Sequence, residues 1–399
     1  MQEFLRLLDK LVHMTGAANL TVGNFVMLAI GLGLIFLAIK RNLEPYELLP
    51  IGFGILLANL PLTRLMPENV AAVEVFKNGD FFGGIQQYGV LGVFYYFGLY
   101  YWNILPPLIF ICIGAMTDFG PLIANPRMLL LGAAAQIGVF IAFFGALFLG
   151  FNLPEACSIG IIGGADGPTT IYTSAKLARH ILPVTAAIAY IYMATVAFIQ
   201  PPIMRLLTTK EERKIRMKQL RHVSKAEKVI FPAAGAVIII LLVPLSAPLI
   251  GMFMFGNLIR ESGVVKRLTH AAQNELMNIV TIILMLCVGI SMSAETMLKW
   301  ETLKVLCLGL VAFAMGTAGG ILLAKIMNFF SKNKINPLIG SAGVSAVPMA
   351  ARMSQIVGQE EDPRNFLLMH AMGPNVAGVI GSAIAAGMFL TLMDAMGRV

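Results

Sequence analysis

Two stretches decide how this chain folds: Ser158-Ile-Gly-Ile-Ile-Gly-Gly-Ala-Asp166-Gly-Pro-Thr-Thr170 and Asn336-Pro-Leu-Ile-Gly-Ser-Ala-Gly-Val-Ser345-Ala-Val-Pro348. Both lie among long apolar segments, yet their glycines and prolines oppose a regular helix. Within hydrocarbon, a non-helical backbone survives only where it is packed in protein or lines a watery cavity. Two re-entrant hairpins, 155–170 and 335–350, entering from opposite sides, meet that condition. Their freed carbonyls are hard oxygen ligands of the kind that replace the hydration shell of an alkali cation.

The surrounding composition fits a bilayer. Of 399 residues, 58% are apolar and 13% charged, against roughly 25% charged in a soluble domain. A soluble core of this length could not hide so much apolar surface. A cytosolic enzyme, a secreted disulfide scaffold and a nucleic-acid-binding domain are thereby excluded. The net charge of +8 points to basic cytoplasmic loops. Cys112, Cys157, Cys287 and Cys307 lie in apolar stretches without C-x-x-C spacing and read as buried small hydrophobes.

A crossing helix needs about 20 mainly apolar residues. Candidate spans are 22–39, 48–60, 90–116, 128–149, 183–204, 229–243, 248–259, 279–292, 303–329 and 374–393, about ten in all. Residues 205–228 hold nine Lys/Arg against three Glu, which places this linker in the cytoplasm. Counting from it, Lys40-Arg41 and Lys332–Lys334 fall inside and both termini outside. The first 18 residues mix charge with apolar residues at helical spacing; they predict an interfacial amphipathic helix and not a signal peptide. The Phe- and Tyr-rich 90–116 segment, with Pro106-Pro107, predicts an interfacial aromatic cluster and a kink.

The chain repeats itself. Ile111-Cys-Ile-Gly114 matches Leu286-Cys-Val-Gly289; Ile159-Gly160 before Pro168 matches Ile339-Gly340 before Pro348; Leu57-Ala-Asn59-Leu60 resembles Phe255-Gly-Asn257-Leu258. The halves run over 20–208 and 229–395, separated by linker 209–228. Five crossings in each is an odd number, so the second copy inserts upside down, a transporter architecture with sites near the midplane. The predicted fold is an all-α polytopic membrane protein of about ten transmembrane helices in two inverted repeats with two re-entrant hairpins.

Asp166 is the only carboxylate between Glu155 and Glu211. A carboxylate tolerated at membrane depth binds a cation or carries a proton; the bland alternative is an interfacial helix cap. Arg352, four residues past Pro348 of the second hairpin, suits an anionic group in the same cavity, or it snorkels to the interface. Tyr192, within Tyr190-Ile-Tyr192, has the look of an aromatic-belt residue. Asn375, in Gly373-Pro-Asn-Val-Ala-Gly-Val-Ile-Gly-Ser382, lines the cavity or serves close helix packing. There is no P-loop, no H-E-x-x-H and no nucleophile elbow, and the five histidines are scattered. Work therefore has to come from an ion gradient or from chemistry shared with a partner.

The motifs Gly-Gly-Ala-Asp166-Gly-Pro-Thr-Thr, Asn336-Pro-x-x-Gly340-x-Ala-Gly-Val-Ser345-Ala-Val-Pro-x-x-x-Arg352 and Gly-Pro-Asn375-Val-Ala-Gly-Val-Ile-Gly-Ser together resemble the beta subunit of the biotin-dependent, sodium-translocating decarboxylases of anaerobic bacteria, which act on oxaloacetate, methylmalonyl-CoA or glutaconyl-CoA. The resemblance implies that a carboxyltransferase alpha subunit moves a carboxyl group to biotin and a biotin carrier protein brings carboxybiotin to the membrane. This subunit would then release CO2, consume a proton and export Na+. Asp166, Tyr192 and Arg352 are implied in catalysis, Arg352 towards carboxybiotin, and Asp166, Asn336, Gly340, Ser345 and Asn375 as the Na+ set. The biotinyl Ala-Met-Lys-Met motif is missing; Arg216-Met-Lys-Gln219 is the nearest string. Biotin is thus expected in trans. A small single-span membrane subunit, a beta homotrimer, surrounding membrane lipid and a bacterial cytoplasmic (inner) membrane follow by resemblance only. A sodium-coupled secondary transporter of a small organic anion fits the hairpins, Asp166 and Arg352 equally; neighbouring genes for a carboxyltransferase and a biotin carrier would separate the two. A purely structural anchor leaves the aspartate and the hairpins unexplained.

Overall fold

The computed structural model describes residues 13–63 and 81–397. The described residues form α-helices joined by short 3-10 and π turns, with no strand among them. Among the described residues six helices are long and apolar enough to cross a membrane: Val22–Arg41, Met128–Phe148, Arg179–Leu207, Lys266–Ile290, Trp300–Phe330 and Leu368–Ala395. A seventh arises if the interrupted pair Gly89–Tyr100 and Leu105–Met116 counts as one span, and Pro45–Ala58 and Leu153–Ile162 are shorter apolar helices. The chain is a polytopic helical membrane protein. The interfacial helix expected over residues 1–18 falls mostly outside the described residues; from Gly16 to Asn19 the chain makes a 3-10 turn.

In order, the helices are α1 (Val22–Arg41), α2 (Pro45–Ala58), α3 (Phe81–Tyr95), α4 (Leu105–Met116), α5 (Gly120–Ala124), α6 (Met128–Ala135), α7 (Ile137–Phe148), α8 (Leu153–Ile162), α9 (Gly167–Leu177), α10 (Leu182–Leu207) and α11 (Lys210–Arg213). Then come α12 (Lys225–Leu242), α13 (Ala247–Ser262), α14 (Lys266–Ala271), α15 (Met277–Ile290), α16 (Ala294–Met297), α17 (Trp300–Phe330), α18 (Met349–Glu361) and α19 (Leu368–Ala395). Local chemistry sets several starts. Thr21 with Asn24, Asn152 with Glu155 and Ser224 with Glu227 form reciprocal capping boxes at α1, α8 and α12, satisfying amides that would otherwise point into an apolar phase. The same succession of elements occurs twice. A π turn, Tyr96–Tyr100 or Ala272–Leu276, precedes each Cys-x-Gly helix, and a broken helix pair precedes each final long helix.

Two compact units divide the described chain. One comprises the segment up to Leu105 together with Asn278–Leu303; the other comprises Pro106–Met277 with Lys304 onward. In the first, Asn59 ends α2 and ties it to the break after α15. Its amide donates to Ile55 O and Met292 O, both at 2.9 Å, and its Oδ1 accepts from Ala294 N at 2.8 Å. In the second, Asn257 of α13 does the corresponding work at the end of α4, donating to Gly114 O (3.2 Å) and Thr117 O (2.7 Å). Beside it Phe253 packs edge-on against Phe119, ring centroids 5.5 Å apart. The sequence match between the two Asn-Leu dipeptides thus marks two equivalent structural joints.

Three cysteines are buried as expected, but Cys307 is exposed. It lies on the outward stripe of α17 with Leu303, Leu310 and Val311, each 44–53% exposed, so helical spacing carries it to the apolar face turned away from the core. The aromatic cluster is present, with Tyr96 and Tyr101 stacked at 5.5 Å, and the helical run breaks after Tyr100, with Pro106-Pro107 in the first turn of α4.

The basic linker is tied down rather than free. Arg205 pairs with Glu360 (2.6 Å), Arg213 with Glu361 (2.7 Å) and Arg216 with Asp362 (2.7 Å) at the end of α18. The guanidinium of Arg213 holds the Glu361 carboxyl below its ordinary range, Arg216 does so for Asp362, and Arg221 brings Glu227 down to about 2.

Two outcomes follow for stability. Because these carboxyls have folded values below their unfolded ones, their stabilisation is complete above about pH 4.5 and is lost as the pH falls towards 2. Thermal unfolding in neutral detergent should therefore be flat down to about pH 5 and decline below it. Asn257→Ala leaves two helix-end carbonyls without donors and should cost about 1–3 kcal/mol, seen as a lower unfolding midpoint.

Candidate functional site

The site is built from three elements of one unit: the α8–α9 break, the turn before α18, and α19. Helix α8 ends at Ile162, after which Ala165 takes a left-handed conformation at φ 53°. Asp166 follows as N-cap of α9, with Pro168 in the first turn, where proline's missing N–H costs nothing. Asp166 is 5% exposed. Its Oδ1 accepts from Thr169 N at 3.0 Å, its Oδ2 from Ser382 Oγ at 2.6 Å, and its own carbonyl from Thr170 Oγ1 at 2.7 Å. Asp166 is therefore both a helix cap and an interior group. No cation among the described side chains balances it; the start of α9 supplies the positive end of a helix dipole instead.

The second break meets the first here. After a 3-10 turn over Pro337–Gly343 the chain extends, and Ser345 N donates to Gly164 O at 2.9 Å. Ser345 Oγ lies 2.9 Å from Ser382 Oγ, so one chain of hydroxyls runs from the second break through α19 to Asp166. One residue away, Asn375 of α19 donates to Ala342 O (3.0 Å) and Val344 O (2.8 Å), leaving its buried Oδ1 without a partner. Gln136, at the α6–α7 junction, donates to Gly378 O at 3.2 Å, and its Oε1 is likewise buried and unsatisfied. Orphaned interior oxygens call for a donor or a cation.

The remaining candidates lie apart from this cluster. Asn336 caps the 3-10 turn, accepting from Leu338 N at 3.0 Å and donating to Arg213 O (2.8 Å) and Ile215 O (2.9 Å). Its amide holds the basic linker and its oxygen is already used. At Gly340, a Cβ would lie 2.1 Å from Gly320 O; the position serves close approach to α17. The Tyr192 hydroxyl donates to Leu306 O of α17. It is Tyr190, two residues earlier and 1% exposed, whose ring covers the start of α9: a Cβ on Gly167 would fall 2.5 Å from its Cζ. Arg352 stands one turn into α18 as expected, but its side chain is exposed, meets only Met349 Sδ, at 4.0 Å, among the described residues and faces away from the buried Ala351, Ser354 and Gly358.

Ser382 and Tyr190 were not singled out from sequence. Ser382 had a signal: it lies seven residues from Asn375, two helical turns along one face. The donors gathered at Asp166 are hydroxyls, amide and backbone oxygens and one carboxylate. Among the described residues no group of three or more His, Cys, Asp or Glu could hold a transition metal. Such a hard, singly anionic set suits an alkali cation.

Fold and site together define a polytopic membrane protein built around a carboxylate buried where two helix breaks meet. Residues 23–393 match the family described as the Na+-transporting oxaloacetate decarboxylase beta subunit. The methylmalonyl-CoA decarboxylase subunit beta of Propionigenium modestum is 56% identical over 384 residues, covering 95% of this chain and 97% of the relative. The glutaconyl-CoA decarboxylase subunit beta of Acidaminococcus fermentans is 54% identical, covering 98% and 99%. The oxaloacetate decarboxylase beta chain of Klebsiella pneumoniae is 52% identical, again covering 98% and 99%. The chain belongs to this family of sodium-transporting decarboxylase beta subunits.

Ser382→Ala removes the hydroxyl that donates to a buried carboxylate. It should lower stability by about 1–3 kcal/mol, the cost of leaving a buried polar group without its partner, measured as the shift in thermal midpoint at pH 7.

Proposed function

We propose that this chain is the membrane component that decarboxylates carboxybiotin delivered by a partner biotin carrier, takes up one proton in doing so and exports Na+. The observation that carries the reading is the buried Asp166 carboxylate, with hydroxyls from both helix breaks around it and no protein cation to balance it. Na+ is the cargo. Asp166 supplies the negative charge; Ser345, Ser382 and the free Oδ1 of Asn375 supply neutral oxygens. Asn336 and Gly340 act one step removed, holding the second break in register through the linker and α17.

Carboxybiotin supplies a carboxylate whose loss as CO2 takes up one proton. Arg352, exposed and paired with no carboxylate among the described residues, attracts that anion. When Na+ binds, Asp166 gives up a proton, because the cation favours the ionised carboxylate; Tyr190, over the same turn, is the hydroxyl through which it leaves, while Tyr192 is turned to α17. Two upside-down halves that shift against each other open the site alternately. Moving one charge against 100 mV costs about 2.3 kcal/mol, so uncoupled opening would dissipate the gradient.

The partners in this reading are a carboxyltransferase alpha subunit, a biotin carrier and a small single-span subunit, in a bacterial inner membrane, with a beta homotrimer as the assembly. Relatives named for three different acids align with nearly the whole chain, which supports leaving acid selection to another subunit.

In vesicles holding the reconstituted complex, Asp166→Asn should abolish sodium-dependent decarboxylation and sodium-22 uptake while carboxyl transfer to biotin continues. Retained sodium-dependent turnover would defeat the role given to Asp166. Arg352→Ala should weaken use of carboxybiotin by at least tenfold and leave the sodium requirement unchanged; the opposite pattern would exchange the two assignments.

A further inference from the structure

On the side of the basic linker, between the start of α6, the linker itself and the segment after α17, lies a cavity of about 940 Å³. Its walls carry Arg127, Arg216, Lys218, Arg221, Lys332 and Lys334, and no acidic residue lines it. Three of these are engaged: Arg216 with Asp362, Arg221 with Glu227, and Lys218 with Asn333. Arg127, Lys332 and Lys334 come from two separate segments and meet no carboxylate among the described residues. Like charges held around one cavity repel unless an anion sits between them.

The cavity has an apolar continuation. Ile326 and Phe330 line it, and on the last two turns of α17 Leu322 is 47%, Ile326 53%, Phe329 84% and Phe330 82% exposed. A membrane-spanning helix turns such a stripe to acyl chains. Cations at the head of a lipid-facing stripe match an amphiphile with an anionic head and an apolar tail, whereas an acidic protein surface would leave the stripe uncovered. We infer that this cavity is a binding site for an anionic phospholipid, its phosphate held by Arg127, Lys332 and Lys334 and its chains lying along α17. Basic pockets at the end of membrane helices have the chemistry for such head groups. The site goes beyond the sodium-pumping reading and requires only that the chain sits in a bilayer.

The test uses the full chain with its partner subunits, purified in a neutral detergent, and native mass spectrometry of retained lipid. Phosphatidylglycerol should bind and phosphatidylcholine should not. The triple variant Arg127→Gln, Lys332→Gln, Lys334→Gln should weaken phosphatidylglycerol binding on the order of 100-fold. Lys266→Gln, Arg267→Gln, Lys299→Gln, which removes the same charge elsewhere, should leave it intact, and the conservative Arg127→Lys with Lys332→Arg should retain it. Equal binding by wild type and the triple variant would overturn the assignment, as would equal loss in the control. Displacement of the lipid by inorganic phosphate at millimolar concentration would reduce the site to a phosphate pocket and also overturn it. Unchanged lipid binding with weakened association of a biotin carrier would mark the cavity as a protein dock instead.

Discussion

The structure depends on keeping one carboxylate satisfied away from water. Asp166 is anchored by a single amide from its own helix and a single hydroxyl from α19, and that hydroxyl is shared with Ser345. A buried ion with so few partners is costly unless its surroundings are rigid and polar in the right places. The apolar bundle supplies the rigidity and two helix breaks supply the polarity. The backbone bond from Ser345 to Gly164 joins the breaks directly.

Polar side chains elsewhere in the interior serve the same end by satisfying backbone that the breaks leave open. Asn375 spans the carbonyls of Ala342 and Val344, Gln200 reaches Ser341 O at 3.0 Å, and Gln136 reaches Gly378 O. Each uses its donors and, through an unpaired oxygen, leaves an acceptor facing the interior.

Much of this was legible in the sequence. Composition gave the bilayer, the Gly-Pro runs gave the breaks, and isolation in an apolar stretch picked out Asp166. What could not be read is rotation about helix axes. Tyr190 and Tyr192 are two residues apart, about 200° around a helix, and only the packing of α10 on Gly167 and Gly309 decides which ring covers the Asp166 turn and which meets α17. Arg352 was placed on the right turn of α18, but the buried faces of Ala351 and Ser354 set its direction. Asn336 begins the second break, and nothing local reveals that the basic linker folds back 120 residues in sequence to take its amide. The aspartate's two readings, cap and interior ion, proved compatible because the cap itself is buried.

If a sodium ion replaces a proton at Asp166, sodium binding drives proton release from the protein. The purified protein, in weakly buffered detergent solution with a pH-sensitive dye, is mixed with sodium chloride against a choline chloride control. Proton release should saturate with sodium and vanish in Asp166→Asn. The same sodium-specific release from Asp166→Asn as from the unaltered chain would contradict it.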